Sequence, residues 1–195
     1  MIAVDTRPIM LLESASNSPV EAALHLALGV GQVRAAEAAW RPLRARIRAE
    51  HSHWDWDYKS GFLVEPGARC LGVECAGRMQ GMMLVREVGH AARLDPECGR
   101  PLVYVDYLES APWNLRAGGP HQYSGVGQVL VRAAVRRSLE LGYRGRVELH
   151  SLPSSRFVLR AEVWVRWLRS RSELLWVGLL RVHRGPRDRI RRGMT

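Results

Sequence analysis

Two segments a short way apart constrain the fold most. Arg100–Ser110, RPLVYVDYLES, is the strongest strand signal in the chain: it is β-branched and aromatic, with Pro101 at its mouth. From Val126 the apolar positions Val126, Val129, Leu130, Ala133, Ala134 and Leu141 follow helical spacing, and Gly142 closes the pattern. The intervening APWNLRAGGPHQY reads as loop from its prolines and glycines. Strand, loop and amphipathic helix in that order predict an α/β domain with a mixed sheet, and 195 residues suffice for one core.

The flanking segments fill in that domain. SPVEAALHLALG predicts a helix, with Ser18 as cap, Pro19 at the first position, Glu21 completing a capping box and Gly29 as the stop. QVRAAEAAWRPLRARIRAEH continues as helix, kinked or divided at Pro42. ARCLGVECAGRMQGMMLVREV predicts a hairpin about Ala76-Gly77, and GRVELHSL a further short strand. The pentapeptide GVGQV occurs at Gly29 and again at Gly125; the first copy is expected to follow a helix, so the repeat is read as chance. The domain division is 1–17 as an N-terminal segment, 18–153 as the α/β domain, and 154–195 as an atypical basic tail.

Gly125 and Gly127 stand where the Val126 helix opens, at a cost of roughly 1 kcal/mol each in helix propensity. The first turn of a helix offers unpartnered N–H groups and the positive end of the helix dipole. Without side chains in the way, those amides suit a diphosphate, with Gln122 able to close the loop over it. The bland rival is a tight turn with no ligand. A dinucleotide fold is a weaker one, because Leu130 occupies the third glycine position of G-x-G-x-x-G.

Gln122–Gly127, Q-Y-S-G-V-G, resembles the Q/R-x-x-G-x-G/A signature of the GNAT superfamily of N-acetyltransferases. The strand before it, the helix after it and the short strand RVELHSLP extend the resemblance over roughly residues 66–153. It implies a GNAT-like acyl-CoA N-acyltransferase fold that moves an acetyl group from acetyl-CoA to an amine, the acceptor being left open. Tyr123, Ser124, Gly125, Val126 and Gly127 would supply amides to the diphosphate, and Leu108, Glu109 and Ser110 would line the pantetheine and acetyl end. The eleven-residue linker Ala111–His121 is longer than in many relatives.

Acetyl transfer needs a base for the amine and an acid for the leaving thiolate. Glu109 is the first candidate base and Asp106 the second; for each the competing role is a strand-end carboxylate paired with an arginine. Relatives carry an acidic tyrosine in an FY…GF context, where this chain has Phe157, Val158 and Leu159 and no tyrosine after Tyr143. No metal is expected: His51-x-His53 with Asp55 and Asp57 reads as a loop closing a helix. A serine hydrolase is improbable without G-x-S-x-G.

The net charge of +10 is unevenly spread. Residues 154–195 hold 11 of the 29 basic and 3 of the 19 acidic residues, hence +8 against +2 for the rest. This tail, with Trp164, Trp167 and Trp176, reads as a frame-shifted stretch: a TGG codon read one base later becomes glycine. Val158–Ser172 could then encode FYAQRCGFGGFGPG, which resembles the missing family string. The competing reading is an authentic tail that binds nucleic acid or an anionic membrane. Three function classes follow: an active N-acetyltransferase, an inactive CoA-binding relative, or a surface binder acting through the tail. Cys70, Cys75 and Cys98 form no even set and read as reduced thiols; with no run of about 18 apolar residues, a cytoplasmic protein with no membrane span is expected.

Overall fold

The structure, a computed structural model, describes residues 5–47, 52–93, 95–115, 120–150 and 181–183. Its strands are β1 (Thr6–Glu13), β2 (Ser18–His25), β3 (Ala68–Cys75), β4 (Arg78–Arg86), β5 (Val103–Ser110), β6 (Tyr123–Ser124), β7 (Val147–His150) and β8 (Arg181–His183). Its helices are α1 (Val30–Ile47), α2 (Trp56–Ser60) and α3 (Val126–Glu140). The strands form one mixed sheet in the order β6-β1-β2-β3-β4-β5-β7-β8, antiparallel except for β5-β7 and β7-β8.

Ser18–Gly29 is not a helix. Ser18–His25 is a strand held between β1 and β3. The expected capping residues instead lie along a hairpin whose turn ends at Asn17, with φ 53°, a left-handed conformation that asparagine tolerates. Strand pairing on both sides has overridden a local helix preference. Thr6–Glu13, from the expected N-terminal segment, is thus a strand of the sheet. The hairpin about Ala76-Gly77 forms as expected, both residues having positive φ, as a type I′ turn requires. Pro42 lies inside α1, which continues through it. Pro42 and Ala38, whose carbonyl loses its amide partner, are both exposed, so water can take that bond.

The two faces of the sheet carry separate cores. On one, α3 packs Val126, Leu130, Ala133 and Ala134 over Leu71, Val73, Met83, Val85, Val103 and Val105. On the other, α1 lays Val33, Ala36 and Trp40 over Cys70, Met82 and Leu84, with Trp56 beside them. The alternation of strand residues between the two sets is the period-two signature of a sheet covered on both sides. Most of the tail, including the Val158–Ser172 string assigned to a shifted frame, lies outside the described residues; Arg181–His183 pair in parallel with Glu148–His150.

Candidate active site

β5 and β7 run together only at their beginnings. Val103, Tyr104 and Val105 pair with Val147, Glu148 and Leu149. From Asp106 to Ser110, β5 keeps its partner β4 on one side and has no ladder with β7 among the described residues. Among the described residues, the second half of β5 thus has a ladder on its β4 side alone.

A bulge sets its side chains. The register shifts where Leu84 faces Tyr107 but the next residue, Val85, faces Val105, leaving Asp106 as the extra residue. The alternation is thereby reset. Val105 and Leu108 pack on the α3 side, while Tyr107 packs against the α1 core, the side on which the Glu109 carboxylate meets Arg44 and Trp56.

The mouth of α3 lies against this same half of β5. Gly81 pairs with Ser110, and a Cβ on Gly81 would fall 2.5 Å from Val126 Cγ1 and 3.3 Å from the Glu109 carbonyl oxygen. A Cβ on Gly127 would fall 3.8 Å from Leu108 Cδ2. The helix start and the second half of β5 are neighbours, joined by close glycine packing at Gly81. Gly125 is the N-cap at φ 92° and makes no side-chain capping bond. Glycine is required there by conformation as well as by access. Val126, Gly127 and Gln128 then occupy the first three helical positions, whose N–H groups have no helical acceptor. Gln128 went unnoticed in the sequence, although counting three positions from the cap reaches it.

The other predicted amides are placed differently. Tyr123 donates its N–H to Asn114 Oδ1 at 3.0 Å, Gln122 donates to the Trp113 carbonyl at 3.2 Å, and Ser124 sits opposite Leu12 in the β1-β6 ladder. These three residues hold the loop. Gly125, Val126, Gly127 and Gln128 present its open end.

Both carboxylates meet arginines. Asp106 accepts from Arg86, which also pairs with Glu65. Glu109 is fully buried: Trp56 Nε1 donates to its Oε2 at 2.5 Å, and Arg44 Nε lies 2.9 Å from its Oε1. Arg44 also bonds Glu37 at 2.5 Å and the Trp54 carbonyl. Nearby, the Lys59 ammonium lies 4.4 Å from the centre of the Tyr107 ring and 5.0 Å from that of Trp54. Burial lowers its pKa, with Glu109 opposing that effect. Two acids and two bases thus share a closed compartment with balanced charge. The sequence reading did not single out Glu37, Arg44, Trp56 or Lys59. The signal was there: Glu37 and Arg44 continue the stripe of Val33, Ala36 and Trp40 on α1.

Asp55 caps α2, accepting from the Tyr58 amide at 3.1 Å, and pairs with Arg41, while Asp57 pairs with Arg34. Among the described residues no group of three His, Cys, Asp or Glu side chains is placed to hold a metal ion. Cys70 and Cys75 are buried, Cys98 is exposed, and burial pushes the Cys70 thiol up to about 12.

The mixed α/β sheet thus brings the glycine-opened start of α3 against the second half of β5. No family model matches the sequence, and no curated protein matches it. Among solved structures, the chain is similar to a ribosomal-protein-alanine N-acetyltransferase from Brucella melitensis biovar Abortus 2308. Identity is 14%, coverage 83% of this chain and 99% of that one, and the TM-score 0.46. It is also similar to an aminoglycoside N-acetyltransferase in complex with CoA, at 14% identity over 86% of this chain and 94% of that one, TM-score 0.45. A third is a GCN5-related N-acetyltransferase from Ralstonia eutropha JMP134, at 13% identity over 85% and 91%, TM-score 0.44. Identities this low transfer neither residues nor substrates.

Proposed function

We propose that the protein is an acetyl-CoA-dependent N-acetyltransferase of the GNAT type acting on an amine. The observation that carries this reading is the contact between the start of α3 and the second half of β5, which has no ladder with β7 among the described residues. The donor set suits coenzyme A: an uncapped helix start with a left-handed glycine for the diphosphate, and unladdered strand backbone for the pantetheine amides.

Acetyl-CoA supplies a thioester carbonyl. The amine nitrogen forms a bond to that carbon, the C–S bond breaks, and the thiolate takes up a proton as the amine loses one. The amides of Gly125, Val126, Gly127 and Gln128 hold the diphosphate, and Asp106–Ser110 align the arm, so that the reacting carbonyl is fixed relative to the incoming amine. Glu109 is walled in by Arg44 and Trp56 and is held away from the incoming amine. Asp106 is part-exposed, with its side chain 20% accessible. It is the carboxylate that water reaches, and it takes the proton. Asp106→Asn is then expected to lower turnover by about 10²–10⁴ with little change in CoA affinity.

The test is calorimetric titration with CoA, followed by thiol release from acetyl-CoA across a panel of primary amines. Binding with amine-dependent release is expected. Absence of CoA binding overturns the reading, and binding without release from any amine leaves a coenzyme-binding protein in place of an enzyme.

A further inference from the structure

The chain that leaves β5 is tied down at a buried amide on the neighbouring strand. Gln80, in β4, is 1% exposed. Its Nε2 donates to the carbonyls of Cys75 and Arg78, each at 3.1 Å. Its Oε1 accepts from Trp113 Nε1 at 2.7 Å and from Asn114 Nδ2 at 3.0 Å. Two donors and two acceptors are the full capacity of a glutamine amide. Its backbone carbonyl takes the Ala111 amide at 2.8 Å as well. The 3-10 turn Pro112–Asn114 is therefore bolted to the β3-β4 hairpin, and the Arg78 guanidinium covers the Trp113 ring at 3.9 Å.

The same turn grips the loop. Asn114 turns its Nδ2 to Gln80 and its Oδ1 to the Tyr123 amide, while the Trp113 carbonyl takes the Gln122 amide. Tyr123 is two residues before the left-handed Gly125. A path of three hydrogen bonds thus runs from the hairpin through Gln80 and Asn114 to the entrance of the phosphate loop. We infer that Gln80 and Asn114 are positioning residues that fix the Gln122–Gly127 loop so that the α3 amides face their anion before it arrives. Its value for coenzyme binding rests on the acetyl-CoA reading above; the fixing of the loop does not.

Amides suit this relay. Each link needs one group that donates and accepts at once, and a carboxylate there would set a negative charge beside a seat for a diphosphate. Preorganised donors cost no rearrangement on binding, so loosening them is read in affinity for the coenzyme more than in the chemical step.

The full-length protein is titrated with CoA, and amide exchange is followed residue by residue in the wild type, Asn114→Ala, Gln80→Leu and the double variant. Asn114→Ala is expected to weaken CoA about tenfold and to speed exchange at Tyr123 and Val126–Gln128, raising KM for acetyl-CoA more than it lowers kcat. The double variant is expected to be little weaker than Asn114→Ala alone, which already removes both bonds of Asn114 to Gln80, whereas Gln80→Leu alone leaves the one to the Gln80 backbone carbonyl at 3.3 Å. Should Gln80→Leu fail to fold, Asn114→Ala and Asn114→Asp carry the test. Asp keeps the acceptor for Tyr123 but loses the donor to Gln80, so it is expected to speed exchange as Asn114→Ala does and, through its charge, to weaken CoA further in a salt-sensitive way. Unchanged exchange and CoA affinity within about twofold in Asn114→Ala overturn the inference. Faster exchange in Asn114→Ala together with no CoA binding by the wild type upholds the clamp and overturns the acetyl-CoA reading.

Discussion

The same five residues, Gly-Val-Gly-Gln-Val, open both long helices, α1 from Gly29 and α3 from Gly125, on opposite faces of one sheet. The ground for treating the repeat as chance fails, because the first copy also follows a strand. The two mouths nonetheless differ. At α1, Gln32 reaches back so that its Oε1 accepts the Gly29 amide at 3.0 Å, half of a capping box. At α3, Gly125 is left-handed and makes no side-chain capping bond. A local sequence can specify where a helix starts; the conformation of its cap residue and the reach of its third residue decide how that start is capped. The helix bodies differ too. α1 carries Glu37 and Arg44 into its core, whereas α3 buries small aliphatic residues and keeps Arg137 at the rim with Glu87.

The largest expected effect breaks the charged helix. Arg44→Ala leaves Glu37 and Glu109 buried without their shared cation. It should destabilise the fold by about 3–5 kcal/mol in urea unfolding. A loss near zero would mean that the compartment is wet and that Glu109 is open to a proton-transfer role.

Next in size is the contrast between the caps. Gly125→Ala places a Cβ on a residue at φ 92°, with an expected cost of about 1–2 kcal/mol. Gly29 is not left-handed, and its added Cβ would meet only Gln32 Oε1 at 3.8 Å, so Gly29→Ala should stay within about 0.5 kcal/mol. Equal losses would show that both caps matter for the same reason.

The second glycines separate stability from function. A Cβ at Gly31 meets nothing within 4 Å, and one at Gly127 reaches Leu108 only at 3.8 Å. Each Gly→Ala change should therefore raise stability by about 0.5–1 kcal/mol. Only Gly127→Ala should weaken CoA binding, because its methyl would stand in the seat. If both variants bind CoA as the wild type does, the diphosphate does not lie there.

The sequence made the α3 side legible because its signals are local: β-branched residues in β5, helical spacing after Val126, a glycine stop at Gly142, which has φ 76°. Ser18–His25 departs from the expected helix because Ser18, Pro19 and Glu21 carry helix-start chemistry, while the pairing that overrides it comes from Thr6–Glu13 and Gly72–Glu74. A turn signal at Ser16-Asn17 between two apolar runs was available and pointed to a hairpin. The Glu37–Arg44–Glu109 compartment joins residues 72 positions apart, which no local pattern reports. The Gln80–Asn114 relay is hidden for the same reason.

The smallest effect sharpens the contrast at the rim. Burial alone would push the Glu87 carboxyl up, but hydrogen bonds from Arg137 and Arg69 outweigh it and hold its pKa below the ordinary 4.5. A carboxylate depressed in the folded state stabilises fully above its unfolded pKa. That contribution is lost as pH falls from about 4.5 through the lower folded value. The stability difference between the wild type and Glu87→Gln should therefore be flat above about pH 5 and shrink toward acid. Arg137→Ala, which leaves Glu87 paired with Arg69, should cost about 1 kcal/mol or less, against several for Arg44→Ala. A difference that grew as pH fell would show the carboxyl to be raised, not depressed. The rim pair would then behave like the buried one, and the division between a charged α1 face and an apolar α3 face would not hold.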